Sequence, residues 1–347
     1  MKYLIIDGNN FAIRESFAHK ELTNSDGVFS GVHFGFFRSL INLKQIFPEH
    51  QCLVVWDGKS ARRKAETKDA KEKGLITVEY KETREYPEPI QLFYQQQTCL
   101  KNALNEAGIP QIRLSQFEAD DVVATYCKLL KDENEIICVT SDSDYYQLLH
   151  ENVSLWNVSK QQKTLKDDWV KENQIEPWQY VDCGAFSGDT TDDIQGVPGW
   201  GDKTAFKAIR AHGKWEDVLV HLHKIYDPLN EEYPPLKGEE FTTLSKLETP
   251  KKKLRYPQIN EDMSFTGVAL AFEEKRYKPS KEAGFKSNMM ALMFEKRVAL
   301  AYSLKRMDDE IPDMPEIPKL SVNTERILEY FDYFDIESLK EDVGVFK

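Results

Sequence analysis

Nine carboxylates carry the chemistry that this sequence offers. Asp7, Asp57, Asp142 and Asp144 stand at or just beyond the ends of short apolar runs: YLIID (3–7), CLVVWD (52–57) and EIICVTSDSD (135–144). Such runs, separated by helical segments, read as buried parallel strands of an α/β sheet. Ligands of open α/β sheets sit at the carboxyl ends of strands, so the four acids are expected to converge on one edge. FEADDVVATY (117–126) adds Glu118, Asp120 and Asp121 just before a helical apolar run. Two readings of that stretch stand level. Ser115 and Glu118 have capping-box spacing, and acids in a first helical turn complement the helix dipole. The other reading is a metal site. Asp189 and Asp192 complete the set. Nine carboxylates in one cleft repel one another and rise in pKa. Mg2+ or Mn2+ would resolve the repulsion, because both prefer oxygen donors. No Cys/His cluster points to zinc, and a proton-transfer dyad needs only two acids. Two hard ions roughly 4 Å apart would suit in-line hydrolysis of a phosphodiester.

The elements that must hold these acids show in the spacing. Helical patterns cover 31–47, 90–107 and 119–131, and NEAGIP (105–110) supplies a Gly–Pro stop. Residues 59–73 carry seven Lys or Arg against three acids. That is a solvated surface helix, or a basic segment that holds a phosphate backbone over the acidic cluster. GVPGWG (196–201) fails as a Walker A loop, since Asp202 stands where lysine is required, and its acids do not alternate as in an EF-hand. A hairpin between two helices fits better. Its N–H groups would grip a phosphate, with Lys203, Lys207, Arg210 and Lys214 following; the bland counterpart is a plain turn before a solvated basic helix. Residues 227–294 read as an elaborated insertion, 292–306 as helix, and IPDMPEIPK (311–319) as a connector to a short helix and an end rich in Phe and Tyr.

At 347 residues there is room for two domains. The net charge of −12 argues against a nucleic-acid partner only naively, because a carboxylate cluster is counted without its cations. Five cysteines without a C-x-x-C pair suggest reduced thiols in a soluble cytosolic protein. No run has the length of a signal peptide or a membrane span.

Six motifs in order resemble the structure-specific 5′ nucleases, the family of bacteriophage 5′-exonucleases, phage ribonuclease H, flap endonucleases and the 5′-nuclease domain of DNA polymerase I. They are IDGNNFAIR (6–14), TNSDGVFSGVHFGFFRSL (23–40), VVWDGK (54–59), AGIPQIRLSQFEADDVVAT (107–125), VTSDSDYYQLL (139–149) and SGDTTDDIQGVPGWGDKTAFKAI (187–209). The resemblance implies a PIN-like α/β nuclease domain, with a central mainly parallel sheet flanked by helices, and a helix–three-turn–helix module for duplex DNA. The expected division is 1–183, with a helical arch near 58–95, and 184–347. By motif, Asp7, Asp57, Glu118, Asp120 and Asp121 look like a first metal site, and Asp142, Asp144, Asp189 and Asp192 like a second. Arg14, seven residues after Asp7, matches one family arginine, and Arg62 and Arg63 compete for another at the arch; Arg14 and Arg63 are expected to meet nucleic acid. Tyr80, Lys81 and Arg84 resemble arch residues facing the scissile phosphate, Lys81 and Arg84 as catalytic groups. Gly196, Gly199 and Gly201 would shape the hairpin. Asp193 departs from the family, which usually has Asn there.

The expected activity is Mg2+- or Mn2+-dependent 5′→3′ exonuclease and flap endonuclease action on DNA and RNA primers, with K+ at the hairpin. Expected partners are branched or 5′-ended duplex DNA and RNA–DNA hybrid, with single-strand-binding protein, clamp or polymerase, in a monomer in the bacterial cytoplasm. A form without a polymerase domain leans towards phage enzymes. The rival readings are a non-catalytic junction binder and a PIN-type ribonuclease on structured RNA; the failed glycine fingerprints exclude dehydrogenases and NTPases.

Overall fold

The computed structural model describes residues 1–232, 291, 292 and 294–347, and only the backbone of 226–232. The expected insertion at 227–294 therefore lies mostly outside the described residues. A six-stranded sheet runs in the order β3-β2-β1-β4-β5-β6. Its strands are β1 (Lys2–Asp7), β2 (Gln51–Val55), β3 (Gln111–Ile112), β4 (Glu135–Val139), β5 (Val153–Asn157) and β6 (Gln162–Thr164). All neighbours pair in parallel except β5 and β6. β1 is central, which is why KYLIID is buried from Tyr3 onward rather than alternating. Its register sets Asp7 beside Val55 and Ile6 beside Val139, so the chain leaves β1, β2 and β4 on the same edge.

Among the described residues the helices include α1 (Gly8–Ala18), α2 (Gly31–Ile46), α3 (Ala61–Glu72), α4 (Glu88–Glu106), α5 (Ala119–Leu130), α6 (Lys166–Asn173), α7 (Tyr180–Ser187), α8 (Asp202–His212), α9 (Trp215–Glu232), α10 (Glu295–Lys305) and α11 (Thr324–Tyr333). The 3-10 segments Ser143–Leu148 and Glu337–Phe346 matter below. Among the described residues no helix is long and apolar enough to cross a membrane. All five cysteines are free thiols, and only Cys99 is exposed.

The chain divides into two compact units. The first comprises Met1–Lys64, Arg84–Asn173 and Met307–Lys347, and the second Ala65–Thr83 and Gln174–Arg306. A split at 183 with everything later in one domain is therefore not what the contacts give. The apolar face of the last segments explains the difference. Ile327, Phe331, Phe334, Ile336, Leu339, Val343 and Phe346 are buried in the same core as Phe36, Phe37 and Leu40 of α2. Phe37 packs edge-on against Phe331 at 5.1 Å and Phe346 at 6.1 Å between ring centroids, so the core beside the sheet is finished by residues far along the chain.

Candidate functional site

In the first unit, Asp7 ends β1 and caps α1, its Oδ1 accepting the Asn10 N–H at 3.0 Å. Its Oδ2 accepts from the Tyr145 hydroxyl at 3.1 Å. Burial, then the charges of Asp57 and Asp142, push the Asp7 carboxyl well above the usual range, against the Asn10 and Tyr145 hydrogen bonds. Asn10 also reaches the end of β4, where its Oδ1 accepts from the Ser141 N–H at 3.0 Å and Oγ at 2.9 Å. Asp142 follows, capping the 3-10 turn by accepting the Asp144 N–H at 2.8 Å. Three strand ends thus gather the acids that spacing assigned to them.

The FEADD stretch resolves differently from the local capping box. Glu118 is itself the cap residue of α5 and makes no side-chain capping bond. Asp57 does that work from another strand, its Oδ1 accepting the Ala119 N–H at 2.9 Å. Asp120 and Asp121 lie in the first turn, as the dipole favours.

Arg63 is the main correction. Expected to meet nucleic acid, it is instead 1% exposed. Its guanidinium donates to Glu118, to Asp120 at 3.0 and 3.2 Å, and to Asp121 at 3.0 Å. Three carboxylates side by side need an internal cation when desolvated, and a planar fork with several donors suits them. The compensation is incomplete. Burial and Asp120 push Asp121 up to about 7 despite Arg63. Among the described residues no group of three or more His, Cys, Asp or Glu is arranged to enclose an ion; an arginine stands among Glu118, Asp120 and Asp121. Arg14 is likewise engaged, donating to Glu15 and lying over the Phe11 ring at 4.6 Å. Arg84 is exposed.

The second unit holds the remaining acids. Asp189 lies in, and Asp192 in the turn of, a short ladder of β7 (Gly188–Asp189) and β8 (Ile194–Gln195) between α7 and α8. Asp189 accepts the Thr191 N–H at 2.8 Å and the buried Lys305 ammonium at 2.8 Å. Burial would raise Asp189, but Lys305 and the N–H donors hold it below the usual range. Asp192 accepts from the Tyr80 hydroxyl at 3.1 Å and lies 3.6 Å from the Lys81 ammonium. Tyr80 is thus buried on Asp192 rather than open to a phosphate. Asp193 has φ +57°, a region Asn and Asp tolerate better than most residues, and it accepts the Thr83 N–H at 2.8 Å and Oγ1 at 2.5 Å. The departure at 193 therefore keeps the backbone shape. Gly199 has φ +86°, and a Cβ on Gly196 would lie 2.4 Å from the Ser187 carbonyl, so the hairpin needs both glycines. Gly201 caps α8, from which Lys203 and Lys207 are exposed. Lys305, 116 residues from its partner, and Asn10 had no signal in the spacing.

Residues 2–174 match the 5′-3′ exonuclease N-terminal resolvase-like domain, and 175–267 the 5′-3′ exonuclease C-terminal SAM fold. A 5′-3′ exonuclease of Aquifex aeolicus is 31% identical over 245 residues, covering 70% of this chain and 79% of that protein. A thermostable DNA polymerase I of Thermus thermophilus is 33% identical over 233 residues, 66% of this chain but 26% of the polymerase. The chain thus spans about a quarter of the polymerase's length. The solved T5 5′-exonuclease with bound zinc ions aligns with a TM-score of 0.54 at 18% identity over 100% of both chains. Flap endonuclease-1 from Methanococcus jannaschii gives 0.54 at 15% identity, over 99% of this chain and 91% of that one. The fold is shared with both. The chain belongs to the 5′-3′ exonuclease family of nucleases.

Proposed function

We propose that this protein is a divalent-metal-dependent 5′→3′ exonuclease and structure-specific flap endonuclease. It hydrolyses phosphodiesters of DNA, and of RNA in RNA–DNA hybrids, at 5′ ends and single-strand/duplex junctions in replication or repair. One observation carries the reading: Asp7, Asp57 and Asp142 stand at or just beyond the ends of the neighbouring strands β1, β2 and β4 on one sheet edge, where burial and the other two charges push Asp7 well up, an excess that a cation relieves. The donors fit hard ions, being carboxylate oxygens without thiolate or imidazole among them. Asp7, Asp57, Glu118, Asp120, Asp121, Asp142 and Asp144 would hold Mg2+ or Mn2+ in the first unit, and Asp189 and Asp192 would supply the acids of the second. When bound, such ions lower the pKa of water and offset phosphoryl charge.

The chain's own groups do the rest. Asn10 and Tyr145 fix the Asp7 carboxylate in one orientation. Lys81 and Arg84 offer cationic groups to negative charge developing on a phosphate. The hairpin at Gly196–Gly201 and the exposed Lys203 and Lys207 grip duplex backbone, with K+ at the hairpin. Single-strand-binding protein, clamp and polymerase remain the protein partners of this reading, in a monomer in the bacterial cytoplasm.

The test is single-turnover cleavage of a 5′-labelled flap duplex with Mg2+ or EDTA, comparing wild type with Asp142→Asn/Asp144→Asn. Metal-dependent cutting near the junction, lost in the double variant while flap binding persists, is expected. Tight flap binding without cutting by the wild type sinks the enzyme reading in favour of a junction binder.

A further inference from the structure

Two tyrosines beside the acids take no part in the hydrolysis just described. Tyr86 is 47% exposed and Tyr94, on α4, 44%. Their ring centroids lie 6.0 Å apart at 69°, and Tyr94 leans on the buried Phe93 at 5.0 Å. Tyr94 is anchored through its side chain, Tyr86 through its backbone. The Asp57 N–H donates to Asn9 Oδ1 at 3.1 Å, and Asn9 Nδ2 donates to the Tyr94 hydroxyl at 3.5 Å. One amide side chain therefore links the backbone of an expected metal ligand to a half-exposed ring. Tyr86 precedes Pro87, which caps α4, and Gln91 Nε2 donates to the Tyr86 carbonyl at 2.6 Å. After burial, the charge of Asp57 raises the Tyr94 hydroxyl and that of Arg84 lowers it, so carboxylate and guanidinium both lie within electrostatic reach.

A pair of half-wet aromatic rings in edge contact on one surface, one of them anchored, calls for a flat apolar ligand. The acids next to it repel a phosphate, whereas a nucleobase is neutral and presents a π-face to either ring. The anchored Tyr94 ring also loses little rotamer freedom when covered. We propose that Tyr94 and Tyr86 form a stacking platform for one unpaired base adjoining the scissile phosphodiester, with Arg84 facing that nucleotide's phosphate. This rests on the nuclease reading and adds to it a place for the displaced base.

The test scans a single 2-aminopurine across the nucleotides flanking the junction of a flap duplex, in EDTA, with the full-length protein. Wild type is expected to quench one position. Tyr94→Leu and Tyr86→Leu should each lose that quench, and Tyr94→Phe should keep it. An abasic nucleotide at that position should weaken wild-type binding by roughly ten- to a hundred-fold, with no further loss in Tyr94→Leu. Blunt-duplex affinity should be the same in all variants, and thermal melts check that each is folded. Equal quenching in wild type and both leucine variants overturns the platform, and if Mg2+-dependent cutting persists it does so without touching the nuclease reading. Failure of the wild type to bind or cut the flap overturns both. Selective capture of a proline-rich peptide by the same rings, with no quench of any base, assigns the surface to a protein partner and overturns the base-binding proposal.

Discussion

The acids of the two units live under opposite electrostatic conditions. In the first, Asp7 is driven up by burial, Asp57 and Asp142, and Asp121 reaches about 7 even with Arg63 against it. In the second, Lys305 brings Asp189 below the usual range although burial works the other way. Asp192 and Asp193 find Tyr80, Lys81 and Thr83. The same residue type is thus left short of positive charge in one unit and supplied with it in the other. A carboxylate set that the protein does not neutralise is the one with most to gain from a cation.

Asp7→Asn tests this contrast most sharply, because an amide keeps the oxygen that caps α1 and removes the charge, at the cost of the oxygen that accepts from Tyr145. Single-turnover flap cleavage should fall by roughly 10³-fold or more. The metal-free protein should melt a few degrees higher as repulsion is relieved; a lower melting temperature would mean that Asp7 is not under charge strain. Arg63→Gln should cost about 3–5 kcal/mol in urea unfolding without metal, since it strands the buried Glu118 and Asp121 and the half-buried Asp120, and added Mg2+ should restore part of that. Lys305→Met, in the self-neutralised set, should cost about 2–3 kcal/mol through Asp189. A null effect there would erase the difference between the units.

The pH dependence has opposite signs in the two places. A carboxyl raised to about 7 stabilises the fold most below its unfolded pKa near 3.9, and that contribution fades as pH rises to 7. Asp121→Asn should therefore flatten the metal-free stability profile between those limits, by up to about 1.4 kcal/mol per pH unit. The depressed Asp189 contributes above about pH 3.9 and is lost as pH falls through its lower folded value. Denaturant midpoints measured across pH 3–8 for wild type, Asp121→Asn and Lys305→Met separate the two. The smallest effect belongs to Asp193→Asn, which keeps both the backbone region and an acceptor for Thr83. It should move stability by less than about 0.5 kcal/mol, and a larger loss would show that its charge is needed.

Much of this was open to sequence reading, for a physical reason. Strands buried on both faces read as unbroken apolar runs, so Asp7, Asp57 and Asp142 could be placed at their ends, and a Gly–Pro stop marks the end of α4. What spacing missed depends on pairing across the chain. Ser115 and Glu118 look like a local capping box, yet the acceptor for Ala119 is Asp57. Arg63 sits in a basic run indistinguishable from a solvated surface, and only burial beside three acids gives it its role. Lys305 and the return of residues 307–347 to the first unit leave no periodic trace. A lysine's partner and a helix's docking face are properties of the assembled core.

That return has a consequence for synthesis on the ribosome. The chain emerges from its amino end, and β1, β2 and β4 are all available once residue 139 has left the tunnel. Phe37 of α2 nonetheless lacks its ring partners until Tyr330, Phe331 and Phe346 arrive. For the whole interval in which the second unit is being made, the nascent first unit exposes an aromatic surface of the kind that holding chaperones bind.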